Sequence, residues 1–304
     1  MPTPFHKPSA GFSLLEILVA TAVLALLLSL LSMAVGATLS TIRHSKSSIE
    51  RFASARAAVD RLAATLSQAT LGTYWDYDDP AAPAKYIRTS DLHFLIQNSS
   101  NGQRLFFQSP LSTSGISPAP SGLLNAVGYW VEFGEDTWRP DHIDTPRHRY
   151  RLMQGVAPTE DLTVFTDSTS AWTNRVTSAK FPIAENVIAM VLWPRQATVS
   201  DLAGTALTGD YQYDSRAASG IQSHQLPPMV QATLIVLDES SMARIESGAT
   251  EPEAIRSALA GKFESVADYE EDLREVLDAL IAAKLNHTVL KVPVTLRESK
   301  WSGE

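Results

Sequence analysis

The chain has 304 residues, with 33 acidic against 25 basic side chains and a formal charge of −8; its pI is near 5.4. That balance argues against nucleic acid as a main partner, which calls for a clustered basic surface. Cys is absent, which excludes disulfides and cysteine-based metal sites and fits either redox compartment.

The first informative stretch is Gly11-Phe12-Ser13-Leu14-Leu15-Glu16, after a short polar leader. No charged residue then occurs from Ile17 to Ile42. As a helix this run reaches roughly 39 Å at about 1.5 Å per residue, and a bilayer core is about 30 Å thick. It is apolar on every face, without the polar stripe of a soluble helix. A secretory signal peptide needs a short apolar core and a small-residue cleavage site; here the run is too long, and Glu16 interrupts its start. A plain uncleaved anchor leaves Glu16 unexplained, because a carboxylate near the membrane costs on the order of 1 to 3 kcal/mol. The third reading rests on the hexapeptide coupled to the apolar run, a pattern that closely resembles the cleavage motif of type IV prepilins.

That resemblance implies a role for each residue. Residues 1–11 are the leader, and a prepilin peptidase cuts between Gly11 and Phe12. A side chain at position 11 would crowd the scissile carbonyl. Phe12 becomes the N-methylated N-terminus of a transmembrane and assembly helix, residues 12–42. Glu16 then faces the amine of a neighbouring subunit's Phe12, since a buried charge is tolerated when paired, and the pair fixes the axial register. Snorkelling of Glu16 to the head groups is the alternative. Lys7 precedes the span while Arg43, Lys46 and Arg51 follow it, so charge alone does not place the N-terminus inside. The resemblance implies an inner-membrane protein, single-pass, with its bulk in the periplasm.

From Ile42 onward, Ile49, Phe52, Ala53, Val59, Leu62, Ala63 and Leu66 recur at helical steps. They predict an amphipathic continuation over residues 43–71, stopped by Gly72 and packed on a sheet, so that one helix runs from Phe12 to about Thr70. A juxtamembrane coiled coil is the other reading. Residues 72–304 form the remaining globular domain. Tyr74 to Pro80 opens a loop rich in Pro and Ala. Strands are predicted at 92–97, 104–108, 127–133 and 149–153, with Asn101-Gly102 as a hairpin turn between the first two. Ser109 to Ser121 reads as a loop. Apolar strand-length runs follow at 187–193 and 230–237, separated by a long irregular insertion over 198–225. A helical hairpin or long helix covers 252–284, with Val266, Tyr269, Leu273, Val276, Leu277, Leu280 and Ile281 on one face. Residues 287–297 close as a strand.

Val127 to Phe133 and Arg149 to Leu152, then Leu226 to Leu234 with Pro227 and Pro228 at a strand entry, are similar to the sheet strands of J-type minor pseudopilins of type II secretion. Glu185 to Ile188, Trp193-Pro194-Arg195, Tyr211 to Arg216 and the ending Leu296 to Trp301 resemble the family called Verru_Chthon cassette protein C. The expected fold is therefore α+β and pilin-like: a long N-terminal helix, transmembrane in its first half, on an antiparallel sheet domain with a C-terminal helical insertion. The helical region 252–284 departs from a compact J-type pseudopilin.

Candidate chemistry is sparse. Asp76, Asp78 and Asp79 are close-spaced oxygen donors, weak candidates for calcium, which needs six to eight oxygens; a solvated acidic loop is the other reading. Asp141, His142, Asp144 and His148 offer zinc donors among Pro140, Pro146, Arg139 and Arg147, a setting that suits a polar loop. No Gly-x-Ser-x-Gly elbow, phosphate loop or His-Glu-x-x-His helix occurs. The resemblance implies a structural subunit of a type II secretion or type IV pilus-like fibre or its tip, without cofactor. Its partners are then the prepilin peptidase, other pilin-like subunits and an inner-membrane assembly platform. A membrane-anchored enzyme or sensor is the alternative.

Overall fold

The computed structural model describes residues 14–114, 120, 122–138, 147–166, 169–196, 207–246 and 248–300, with residue 16 and residues 36–52 described by their backbone alone. The chain divides into two units, Met1–Ile49 and Glu50–Glu304. Helix α1 (Leu14–Leu66) begins in the first and ends in the second.

In the second unit α1 buries Ala55, Ala58, Val59, Leu62, Thr65 and Leu66, steps of three and four that make one helical face. Ala53, expected on that face, is exposed; the seam is set by Ala55 and Ala58, small enough for close approach. The Arg61 guanidinium lies 5.5 Å from the Phe181 ring centre, and Ser109 donates to the Thr65 carbonyl at 3.3 Å. The helix ends at Leu66 rather than near Thr70. Thr70 is already bridged to Gln108, and Gly72 turns the chain at φ +60°, a conformation that costs glycine little.

Two strands follow that the sequence reading took for a loop: β1 (Thr73–Tyr77) and β2 (Tyr86–Ser90), an antiparallel ribbon of their own. The main sheet holds β3 (Leu95–Ser99), β4 (Gly102–Pro110), β5 (Leu124–Glu135), β6 (His148–Ala157), β7 (Lys180–Glu185), β8 (Val187–Arg195), β9 (Tyr213–Asp214), β10 (Met229–Leu237) and β11 (His287–Thr295). Its order is β11-β10-β8-β4-β5-β6-β7, with β3 on β4 and β9 on β3. Every pairing is antiparallel except one, the single parallel pair Gly102↔Met190 that joins β4 to β8. The β3–β4 turn is therefore Ser100-Asn101, one residue earlier than expected, and Gly102 opens the strand. Pro182 and Pro293 sit on the two edge strands of this order, β7 and β11, where a missing donor is tolerated and further pairing is discouraged.

The sheet is covered on more than one face. In register, Phe106, Gly128 and Gly155 stand side by side. Over them lies α2 (Trp172–Ser178), which the sequence reading did not find. A Cβ on Gly155 would stand 2.2 Å from the Val176 carbonyl oxygen, and one on Gly128 2.9 Å from Val176 Cγ1. The neighbouring row, Leu105, Tyr129 and Gln154, takes the opposite face, where Gln154 donates to the Tyr129 hydroxyl at 2.6 Å. Burial pushes that hydroxyl up to about 12.

The region 252–284 is two helices, α4 (Glu253–Leu259) and α5 (Tyr269–Ala282), preceded by the unforeseen α3 (Glu239–Ile245). Gly261 and Phe263, both at positive φ, make the break between α4 and α5. The buried Asp272 carboxylate holds it by accepting from the Phe263 N–H at 2.7 Å. Tyr269, Leu273, Val276 and Leu280 are buried as the periodicity predicts, whereas Ile281 is 62 % exposed. Tyr269 packs on Trp193 at 5.2 Å between ring centres, and its hydroxyl lies 2.7 Å from Thr233 Oγ1. The predicted insertion 198–225 is irregular where it is described, apart from β9.

Candidate functional site

The largest unpartnered apolar surface among the described residues is the first part of α1. Ile17–Val35 has a mean hydropathy of 2.6 and none of it is buried. Its large apolar side chains, with Leu14 and Leu15, range from 49 % exposed at Val35 to 81 % at Leu14. Patches of this kind mark membrane or protein contacts, and the length suffices to cross a bilayer. Polar groups here are Thr and Ser, as at Thr21, whose hydroxyl donates to the Leu18 carbonyl at 3.0 Å. A hydroxyl that bonds its own backbone travels into an apolar setting at little cost. Gly11 and Phe12 lie outside the described residues. Glu16 lies within α1; its side chain is outside the described set.

The three aspartates sit at the end of the ribbon. Asp78 Oδ1 accepts from the N–H groups of Asp79, Ala84 and Lys85 at 2.9–3.1 Å, and the Ala84 and Lys85 bonds hold its carboxyl below the usual range. Asp79 accepts from Ala81 at 2.8 Å, and Asp76 from Tyr77 at 2.8 Å. Their oxygens thus shape the β1–β2 turn. Asp141, His142 and Asp144 lie outside the described residues, while His148 opens β6. Among the described residues, no group of three or more His, Asp or Glu is placed to hold a metal ion.

One pair, a buried histidine on a half-exposed aspartate, has the look of a catalytic dyad. His93 Nε2 is 2.7 Å from Asp214 Oδ1, and Asp214 is held low by that bond, against the effect of its burial. The other ring nitrogen, Nδ1, accepts from the Trp172 indole N–H at 3.1 Å. Both nitrogens are thereby occupied, and the imidazole ties α2 to β9 rather than facing a nucleophile. Sequence reasoning missed this trio, because its members lie far apart in the chain.

Two hollows remain. A cleft of about 470 Å³ opens between the β3–β4 turn and the α4–α5 break, lined by Asn101, Glu251, Arg256 and Lys262. Glu251 is engaged there by the Tyr150 hydroxyl at 2.7 Å, and Lys262 pairs with Glu275 and Asp272. A smaller pocket of about 160 Å³ lies at the base of the ribbon. Compared with models of protein families, with curated proteins and with solved structures, the chain matches none.

Proposed function

We propose that this chain is a minor pilin or pseudopilin, a structural subunit assembled through α1 into a type II secretion or type IV pilus-like fibre or its tip. The observation that carries the reading is the joining of Gly11-Phe12-Ser13-Leu14-Leu15-Glu16 to an apolar helix exposed from Ile17 to Val35. The same helix later buries Ala58, Val59, Leu62 and Leu66 in an antiparallel sheet domain. The leader addresses the chain to the inner membrane, with the sheet domain in the periplasm. The apolar helix packs among sibling helices in lipid and then in a fibre. Dispersion and small-residue contacts supply association there, since lipid removes the hydrophobic drive between helices. Glu16 pairs with the Phe12 amine of a neighbour.

The test reads the N-terminus by mass spectrometry, in cells with and without a prepilin peptidase. The expected species begins at N-methylated Phe12 when the peptidase is present and at Met1 when it is not. An intact Met1 in both samples would overturn the reading and favour an uncleaved anchor. For Glu16→Ala, cleavage and insertion are expected to persist while crosslinking to sibling subunits falls. Unchanged crosslinking would remove the register role.

A further inference from the structure

Among the described residues outside α1, nine large apolar side chains stand exposed, and five of them belong to the ribbon: Tyr74, Trp75, Tyr77, Tyr86 and Ile87. Exposed apolar groups are ordinarily scattered. The ribbon differs from the main sheet at its edges as well. β7 and β11 carry Pro182 and Pro293, whereas Thr73–Tyr77 holds neither Pro nor Lys, the usual guards of an edge strand. Among the described residues β1 and β2 pair with each other and with no third strand, and a two-stranded ribbon is marginal on its own.

The two edges are not equally open. β2 is half-buried over Arg88, Thr89 and Ser90, while β1 is exposed from Tyr74 to Tyr77. The Asp78 N–H donates to the Lys85 carbonyl at 3.1 Å, a rung next to the pair Tyr77↔Tyr86. Rungs alternate along an antiparallel pair, so Thr73, Trp75 and Tyr77 turn their main-chain groups away from β2. The Tyr77 N–H fits that phase, since it donates to the Asp76 carboxylate at 2.8 Å. The outward groups are evenly spaced about Trp75, between the turn at Gly72 and the turn held by Asp78.

We propose that β1 pairs antiparallel with β1 of a second copy of this chain, about a two-fold axis through Trp75, joining two ribbons into one continuous sheet. The two Trp75 residues exchange N–H···O=C bonds, and each Thr73 N–H donates to the other copy's Tyr77 carbonyl. The indoles meet as a cross-strand aromatic pair; Trp75 is 64 % exposed, even with the Arg88 guanidinium 5.4 Å from its ring centre. On the opposite face Tyr74 meets Asp76, so no charge lies directly across from its like. A two-fold contact requires a surface that complements itself, and this edge does so residue by residue, which points to a second copy. The pairing does not depend on the role given to α1.

The chain has no Cys, so introduced cysteines report the register. Full chains bearing Tyr74→Cys and Asp76→Cys are mixed in detergent micelles, oxidised and digested for mass spectrometry. Across the axis, positions 74 and 76 form a non-hydrogen-bonded pair with Cα atoms about 4.5 Å apart, within disulfide range. Links from 74 to 76 are expected to exceed 74–74 and 76–76 links by at least about fivefold, because like positions stand diagonally. Adding Trp75→Lys to both chains sets two ammonium groups face to face and is expected to cut the 74–76 link by about tenfold. Trp75→Lys in one chain with Trp75→Glu in the other is expected to restore it. Equal yields of the three links, or none, overturn the proposal. So do folded Trp75→Lys chains that link undiminished, or a Lys–Glu combination without recovery.

Discussion

Gly102→Ala is expected to cost at least about 4 kcal/mol of folding stability, at the extreme of single substitutions. A Cβ built on Gly102 stands 1.9 Å from the Met190 carbonyl oxygen and 2.7 Å from its carbon. Both are backbone atoms, so no rotamer change relieves the overlap. The residue also sits at φ +101°, where a side chain adds strain of its own. The clash falls on the one pair that joins β4 to β8. Around it the Met190 N–H donates to the Asn101 carbonyl at 3.1 Å. The Leu192 N–H donates to Gln103 Oε1 at 2.8 Å, a side chain standing in for the next rung of the ladder. Asn101 Nδ2 reaches the Ile188 carbonyl at 3.4 Å. Parting the strands by the ångström or more that a methyl needs would break these bonds and leave buried groups unpaired, each costing about 1–3 kcal/mol. Gly134→Ala is the control: its Cβ would meet nothing nearer than Glu132 Oε1 at 3.8 Å, and a change within about 1 kcal/mol is expected. Denaturant unfolding of the full chain, followed by tryptophan fluorescence, measures both. A Gly102→Ala loss under 1 kcal/mol would mean that the junction does not hold the two strand groups together.

The Gly102 junction also marks where the sequence was legible. Val187 to Trp193 and Val230 to Leu237 read as strands because β8 and β10 are buried almost throughout, so burial wrote itself as apolar runs. Asn101-Gly102 signalled a turn, but not that Gly102 lies against another strand's carbonyl; that constraint is long-range and leaves only a glycine as its trace. β1 and β2 went unread for the opposite reason. β1 is exposed beyond Thr73, and β2 passes from exposed Tyr86 and Ile87 to half-buried Arg88, Thr89 and Ser90, so no alternation appears, and Asp76, Asp78, Asp79 and Pro80 outweighed the aromatics. Only Ala184 is buried in β7, which also contains Pro182, and α2 and α3 are seven residues each, two turns, too short for a period to emerge. The apolar helix Ile17–Val35 was legible, because a membrane-length apolar run is a local property. The His93, Asp214 and Trp172 trio and the pocket below the ribbon depend on chain returns that no local pattern encodes.

Arg149→Met is expected to lower folding stability by about 3 kcal/mol, the lower end for breaking a buried ion pair. The Arg149 side chain is 5 % exposed, and its partner Glu239 is 24 % exposed. Both guanidinium Nη atoms engage the Glu239 carboxylate, Nη1 at 2.6 Å to Oε2 and Nη2 to Oε1, the two-point geometry that makes such pairs strong. Nη1 also reaches Glu185 at 3.4 Å. Burial alone would lower the Arg149 pKa, and the Glu239 bond and charge hold it above its ordinary value. The cluster pins three chain segments at one point. Asn186, at φ +60°, donates from Nδ2 to Glu239 at 3.0 Å and from its backbone to the Tyr150 carbonyl at 2.8 Å, and it accepts from the Leu237 N–H at 2.9 Å. Methionine fills much of the volume, so the loss reflects the Glu239 carboxylate deprived of its two-point partner, with Asn186 at 3.0 Å and Arg147 at 3.9 Å still beside it, rather than a cavity. Adding Glu239→Gln to Arg149→Met removes that less compensated charge and is expected to recover at least about 1 kcal/mol, a non-additivity typical of contacting residues. Strict additivity of the two losses in denaturant unfolding would show that Arg149 acts by packing its stem alone. The recovery would instead assign it to holding β6, the β7–β8 junction and the start of α3 in one register.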